Sequence, residues 1–391
     1  MNILYGVVGE GMGHATRSRV VLGHLLEGGH RVRVVVSGKA HDYLRRELAP
    51  FGERAVVEEI HGLTFQIEGN RIDKSETFSA NLEALPKGLK KNVEAYFKLI
   101  DSGFTPDLVI SDFETWAYLY GLNHRLPVIG LDNMQIINRC AHDDDVTTLR
   151  SRAFLLAKNV VKAKMPGAWH YLVTSFFFPT VRKRRTTLIP PILRPDILQA
   201  TRDPGDHVLV YLKAEAAEAL IPHLQRLSDR RFKVYGTGKT GAEGNIELMP
   251  FSGPGFVDDL RTAQAVVAAA GFSLMGEAVH LQVPMMALPI HGQYEQTLNA
   301  LYLEKLGYGV CQEDAPDADS VARFLEGVDV YQQALGGYTP RDNSMLFDCV
   351  DALVRLVSLD EQAPDTLDVP NMGSWVPPLK GAMADALESD D

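Results

Sequence analysis

The sequence predicts an α/β fold: two Rossmann-like, doubly wound halves facing a cleft. Three observations predict it. Short apolar runs alternate with helical segments along the chain, the pattern of βαβ units and parallel sheets. The alternation stops at a proline-bearing stretch near the middle and then restarts. The length of 391 residues suits two domains.

The elements follow in order. NILYGVV (2–8) is a buried strand. Residues 14–27 carry Val21, Leu22, Leu25 and Leu26 as a helical stripe that stops at Gly28-Gly29. RVRVVV (31–36), PDLVIS (106–111), LPVIGLD (126–132), YLVTSFF (171–177) and TTLIP (186–190) are further strands. Pro190, Pro191 and Pro195 in IPPILRPDIL (189–198) suit neither a helix interior nor a central strand, so this segment reads as a linker. Strands resume at HVLVYL (207–212), FKVYGTG (232–238), NIELMPF (245–251), AVVAAAG (265–271), PMMALPI (284–290) and YGVCQ (308–312). Residues 341–358 read as a helix, and the acidic tail ending ALESDD reads as partly disordered. The expected division is 1–190, 191–345 and a terminal piece, 346–391. Ligands of doubly wound sheets sit outside the carboxyl ends of the strands, which places the expected site in the cleft.

Bulk properties narrow the function. Hydrophobic residues make up 46% and charged residues 23%, enough apolar surface for real cores. The net charge of −11 argues against a general affinity for nucleic acid or an anionic membrane, which needs cations to neutralise phosphates. Cys140, Cys311 and Cys349 are scattered and odd in number, as expected of reduced cytosolic thiols. The N-terminus enters a strand without a basic leader, and no apolar run approaches the ~18 residues of a membrane span. A cytoplasmic location is the expectation. The basic run VRKRRTT (181–187) is a candidate contact for an anionic acceptor or a membrane surface, against the alternative of a solvated loop.

The N-terminal loop GEGMGHA (9–15) superficially offers a dinucleotide fingerprint. His14 stands where the third glycine belongs, and Ser37-Gly38-Lys39 stands where an acid should hold a ribose. The loop reads instead as a glycine turn that brings substrate near Gly13 and the backbone and presents His14 at a helix N-terminus. That position disfavours the imidazolium, leaving a neutral base near pH 7. VISDFET ends a strand at Asp112, the candidate partner of His14, with a helix N-cap as the structural alternative. Asp132 is a weaker candidate. AHDDDVTT (141–148) reads as a solvated charge run, not a metal cluster.

The second half carries a denser constellation, AAAGFSLMGEAVHLQVPMMALPIHGQYEQTLNA (268–300). A strand ends at Gly271, and a helix starts near Phe272, Ser273, Leu274 and Met275. The free N–H groups of its first turn can hold a diphosphate. Glu277, one turn in, can accept from two vicinal hydroxyls. Glu295, Gln296 and Asn299 follow on the next helix, suited to sugar hydroxyls. This spacing, Gly271-x5-Glu277-x6-Pro284-x4-Pro289 and then Glu295-Gln296-x2-Asn299, resembles the donor-nucleotide signature of GT-B glycosyltransferases. The likeness is to the branch that includes the peptidoglycan lipid-linked N-acetylglucosaminyltransferase. GPGFVDDL (253–260) resembles the loop whose backbone, near Phe256 and Val257, holds the uracil ring there.

The resemblance implies an inverting, metal-independent transfer from a nucleotide sugar, most simply UDP-linked, with no cofactor and with His14 as base. It leaves the acceptor open among lipid, glycan, small metabolite and protein. A UDP-sugar 2-epimerase of the same fold and a non-catalytic nucleotide-sugar-binding protein are the rival readings. One feature of the family is missing: the loop after the first strand of the second half, VYLKAEAAEAL (210–220), lacks glycine.

Overall fold

A computed structural model describes residues 1–369 except Glu10, 63–66, 69–70, Asp73, Asp145, 147–150 and Phe251. The chain opens with β1 (Asn2–Val7), α1 (Met12–Glu27), β2 (Arg31–Val36), α2 (Lys39–Leu48) and β3 (Ala55–Glu59). A small hairpin, β4 (Ile67–Glu68) and β5 (Arg71–Ile72), precedes the 28-residue helix α3 (Lys74–Asp101). β6 (Leu108–Asp112), α4 (Thr115–Asn123), β7 (Val128–Asp132), α5 (Ile136–Arg139), α6 (Arg152–Lys164), β8 (His170–Thr174) and β9 (Thr186–Ile189) complete the first sheet. Its order is β3-β2-β1-β6-β7-β8-β9, all parallel. Five of the strands are buried throughout or nearly so, and so they read as continuous apolar runs rather than alternating ones.

The second sheet repeats the plan. α7 (Pro195–Gln199) leads to β10 (His207–Tyr211), α8 (Ala214–Gln225), β11 (Arg231–Tyr235), β12 (Gly241–Glu243), β13 (Ile246–Leu248) and α9 (Gly253–Thr262). β14 (Ala265–Ala269), α10 (Phe272–His280), β15 (Met285–Leu288), α11 (Tyr294–Lys305), β16 (Gly309–Cys311), α12 (Ala318–Glu326) and α13 (Val328–Leu335) follow. The order is β12-β13-β11-β10-β14-β15-β16, antiparallel only between β12 and β13.

Two compact units result. One holds residues 1–66, 74–192 and 343 onward; the other holds 67–73 and 193–342. The first unit is therefore discontinuous. Its final helix, α14 (Ser344–Ser358), places Met345, Leu346, Cys349, Val350 and Leu353 in one core cluster with Ile3 and Val21. Beyond it, the Leu367 N–H donates to the Thr187 hydroxyl at 3.0 Å, which ties the last described residues to β9.

Candidate active site

Both sheets reverse winding direction at their first strand. In the first unit, β1 has β2 on one side and β6 on the other, and Val7 pairs with Asp112 in register. This is the switch point where doubly wound sheets bind ligands. α1 leaves the carboxyl end of β1 through Gly11, whose φ of 80° is open to glycine and strained for other residues. Gly9 has a different duty: a Cβ there would stand 2.0 Å from the Ser37 carbonyl oxygen. The space at Gly9 is filled by the β2–α2 turn rather than kept for substrate. His14 occupies the third helical position and is 18% exposed.

Asp112 is fully buried and accepts from every side. His14 Nδ1 lies 2.8 Å from Oδ1, Arg17 Nε donates to Oδ2 at 2.9 Å, and Ser18 Oγ donates to Oδ2 at 3.0 Å. Arg17 Nη2 also donates to Oδ1. His14 Nδ1 also lies 2.7 Å from Arg17 Nη2, which only donates, so the carboxylate favours a proton on Nδ1, with Nε2 as the lone-pair nitrogen, and the guanidinium opposes it. Burial pushes the Asp112 carboxyl up, but Arg17 and His14 more than offset it and hold it well below the usual carboxylate range. Burial first, then Arg17, lowers the His14 imidazolium, against the pull of Asp112. The arrangement keeps a neutral imidazole beside a fixed negative charge.

The turn after Asp112 is tightly held. Phe113 adopts φ 54°, a strained conformation for a bulky residue, and Lys164 lies 3.9 Å above its ring. Ser111 Oγ accepts from the Glu114 N–H at 2.9 Å and donates to the Glu114 carbonyl at 2.7 Å. Glu114, not Asp112, caps α4, accepting from the Trp116 and Ala117 N–H groups at 2.8 and 2.7 Å. That division of labour leaves Asp112 to His14. At the next strand end, Asp132 Oδ1 accepts the Gln135 N–H at 2.8 Å, a local turn.

In the second unit the switch point lies between β10 and β14. Gly271 follows β14 and is the N-cap of α10, and a Cβ there would meet nothing within 4 Å. Phe272 and Met275 are buried, while Ser273 and Leu274 are half-buried. Glu277 is 9% exposed on its side chain and is gripped by Arg194: Nε to Oε1 at 2.8 Å and Nη2 to Oε2 at 2.9 Å. Burial raises the Glu277 carboxyl and Arg194 opposes the rise. Gln296 Oε1 accepts the Ile290 N–H at 3.0 Å and its Nε2 donates to Gln293 Oε1 at 2.6 Å, so it shapes the turn ahead of α11. Glu295 is half-buried and Asn299 is fully buried on α11.

Residues 1–329 match the family described as Glycosyl transferase family 1. The chain belongs to this family. It is a glycosyltransferase. It is 25% identical over 348 residues to an uncharacterized glycosyltransferase of Methanosarcina mazei, covering 79% of this chain and 85% of that one. A second from Methanosarcina acetivorans is 23% identical over 337 residues, covering 79% and 85%. Among solved structures, CalG4, the calicheamicin glycosyltransferase, superposes with a TM-score of 0.58 at 17% identity, covering 90% of this chain and 98% of that one. Arabidopsis thaliana UGT89C1 complexed with UDP gives 0.61 at 18%, covering 91% and 99%. These likenesses establish the GT-B fold of two Rossmann-like domains.

Within this glycosyltransferase the residues expected from sequence fall into two groups, one per unit. His14 and Asp112 meet directly, with Gly13 beside them in the first turn of α1. Gly271 to Met275, Glu277 and the α11 residues gather at the carboxyl ends of β14 and β15. GPGFVDDL forms helix α9 rather than a loop: the Phe256 N–H donates to the Ser252 carbonyl at 2.8 Å, and its ring packs edge-on against Tyr211 and Tyr235. Val257 is buried beside it. The α8 N-terminus, at Lys213, stands where the family carries its glycine loop. After β11, residues 236–240 (GTGKT) form a turn in which Lys239 pairs with Glu218 at 2.8 Å.

The basic run 181–187 is largely engaged. Lys183 is buried on Asn138, Arg184 pairs with Asp365, and Thr186 and Thr187 belong to β9. The AHDDDVTT segment lies partly outside the described residues. Sequence reading missed Arg17, Ser18 and Arg194. The first two were within reach, because positions 14, 17 and 18 share one helix face. A cavity of ≈ 500 Å³ lined by Asp107, Leu126, Trp169, Arg185 and Val357 lies at the amino ends of the first sheet's strands, the wrong end for this chemistry.

Proposed function

We propose that this glycosyltransferase moves a sugar from a UDP-linked donor to an acceptor hydroxyl with inversion at the anomeric carbon. The observation that carries the reading is the His14–Asp112 hydrogen bond at a switch point, with Arg17 holding the carboxylate. In this reading Asp112 takes the Nδ1 proton as its hydrogen bond and Nε2 serves as the base. Nε2 takes the acceptor proton as the acceptor oxygen attacks the anomeric carbon. The bond from that carbon to the diphosphate oxygen breaks, and UDP leaves with the electron pair. One displacement on one face inverts the centre.

The donor is assigned to the second unit. The first turn of α10 receives the diphosphate charge, a fixed dipole that needs no metal or other cofactor to act. Glu277 receives the ribose hydroxyls. UDP as carrier is supported by the like-folded UGT89C1, solved with UDP and with UDP-L-rhamnose. The acceptor is assigned to the first unit, beside His14.

The test is His14→Ala together with Asp112→Asn. Loss of the base lowers turnover by ~10²–10⁴-fold with donor binding intact. Asp112→Asn reverses the tautomer preference, and turnover falls by a comparable factor. Unchanged turnover in His14→Ala would sink the assignment.

A further inference from the structure

α3 is 28 residues long and carries an apolar stripe that its own unit does not cover. Gly88, Ala95 and Leu99 are buried and mark the inward face. Leu82, Leu85, Leu89, Val93, Phe97 and Ile100 run along another face and are each 44–63% exposed. A solvated helix face carries charge in such a row rather than large apolar side chains. The stripe is also a palindrome. Counted from Lys91, Leu89 and Val93 stand two residues to either side, Leu85 and Phe97 six, and Leu82 and Ile100 nine. Exposed Pro86 and half-buried Tyr96 stand five to either side.

The two flanks of the stripe differ. One is closed by α4, where Tyr120 and His124 pack on Tyr96. The other carries Glu83, Lys87, Lys90, Glu94, Lys98 and Asp101, three acids and three cations. Lys90 pairs with Glu94 at 3.7 Å and Lys98 with Glu58 at 3.4 Å, while Lys91 turns away to Glu59 at 2.6 Å. Among the described residues Glu83 and Lys87 make no ion pair.

We propose that the stripe is the seam of a homodimer in which α3 packs antiparallel on the α3 of a second copy. A two-fold axis beside residue 91 sets each residue against the one equally far beyond the axis. Leu82 then meets the partner's Ile100, Leu85 the partner's Phe97 and Leu89 the partner's Val93, so apolar meets apolar along the whole seam. On the charged flank Lys87 comes opposite the partner's Glu94 and Glu83 opposite the partner's Lys98, each one residue out of register. Lys90, nearest the axis, faces both the partner's Glu94 and the partner's Lys90. A parallel pairing would instead set each of these charges on its own copy. The flank has no net charge, so it offers an anionic bilayer no field. The seam from 82 to 100 is about 27 Å long at 1.5 Å per residue and about one helix wide. It covers less than the ~800 Å² per partner of a standard interface, so the dimer is a reversible one. The inference does not depend on the reaction catalysed.

The test is sedimentation velocity of the full chain from about 1 to 200 µM, the range of weak, reversible pairing. Wild type is expected to pass from monomer to dimer across it. Leu89→Ser with Val93→Ser removes the centre of the seam and lowers the association constant by about tenfold or more. Lys87→Glu, set against the partner's Glu94, lowers it severalfold, and less at high salt. These side chains are exposed, so the variants keep the monomer's thermal midpoint. Cross-linking reads the register, in a Cys311→Ser background because Cys140 and Cys349 are buried. A bismaleimide that spans the roughly 8–10 Å between packed helix axes joins Leu82→Cys to Ile100→Cys when the two variants are mixed. It joins neither variant to itself, since like positions lie about 27 Å apart along the seam. A chain that stays monomeric throughout, serine variants that dimerise like wild type, a missing mixed cross-link or a Leu82→Cys self-cross-link would overturn the proposal. So would a monomer that co-sediments with phosphatidylcholine vesicles and loses that binding in the serine variant.

Discussion

Arg17→Ala removes the two N–H donors that grip a fully buried carboxylate. Asp112 then keeps only His14 and Ser18. Arg17 is 4% exposed and Asp112 is 0% exposed, so solvent screening is slight. Removing one partner of such a buried pair costs about 3–5 kcal/mol, because the other charge stays behind uncompensated. For a unit of this size each kcal/mol moves the midpoint by roughly 2–4 °C, which gives a fall of about 6–20 °C in the first unit's transition.

A second consequence follows at His14. Arg17 lowers the imidazolium and Asp112 raises it, so the variant's His14 titrates at higher pH and the acidic limb of kcat/KM moves up. The pH dependence of stability has a definite sign. Asp112 is ionised in the fold at a pH where the unfolded chain is protonated. Its stabilisation is therefore full above the ordinary carboxylate range and is lost as pH falls through the depressed folded value. The gap between wild type and Arg17→Ala should close over that same acidic window. Calorimetry reads the transition, and NMR of the histidine side chains reads the titration. Arg17→Lys, which keeps the charge without the fork, should fall between. A midpoint within about 1 °C of wild type and an unmoved His14 titration would refute the idea that Arg17 holds the pair.

Further outcomes are expected elsewhere. Glu277→Ala should weaken UDP binding in calorimetry by about 1.5–3 kcal/mol, the range for hydrogen bonds to a charged group; unchanged affinity would place the ribose elsewhere. Arg194→Ala lets burial raise the Glu277 carboxyl further, so UDP affinity should become pH-dependent and strengthen as pH rises. Gly9→Ala drives a Cβ into the Ser37 carbonyl and should lower soluble yield and midpoint, whereas Gly253→Ala, with open space around it, should do neither. Leu353→Ala empties a fully buried site on α14 and should cost about 2–5 kcal/mol in the first unit's transition while leaving the second's in place.

The strands were legible in the sequence because parallel strands buried on both faces are apolar without interruption, as LVISD and AVVAA show. β3, AVVEE, escaped because it lies at the sheet edge with every residue at least partly exposed. His14 and Asp112 could be nominated from a glycine turn and a strand end. That they touch could not, since their contact spans 98 positions and depends on β1 lying beside β6. Arg17 shares a helix face with His14, and the buried carboxylate opposite is what gives it meaning. Arg194 was hidden inside a proline-bearing linker whose composition announces a break and says nothing of the side chain that grips Glu277. The uracil expectation at Phe256 rested on a loop, but the N–H groups available in a loop are partly consumed by α9.

The path of α14 sets an order of events during synthesis. The ribosome delivers the first unit's amino-terminal strands early, yet the helix that completes their core arrives only after the whole second unit has been made. The second unit is one nearly unbroken stretch and can fold as it emerges. The helix and strand that carry His14 and Asp112 meanwhile stay incompletely covered, their apolar face waiting some 150 residues for its lid. A chain cut short before residue 344 would therefore carry every site residue discussed above and still lack the means to hold the first unit closed.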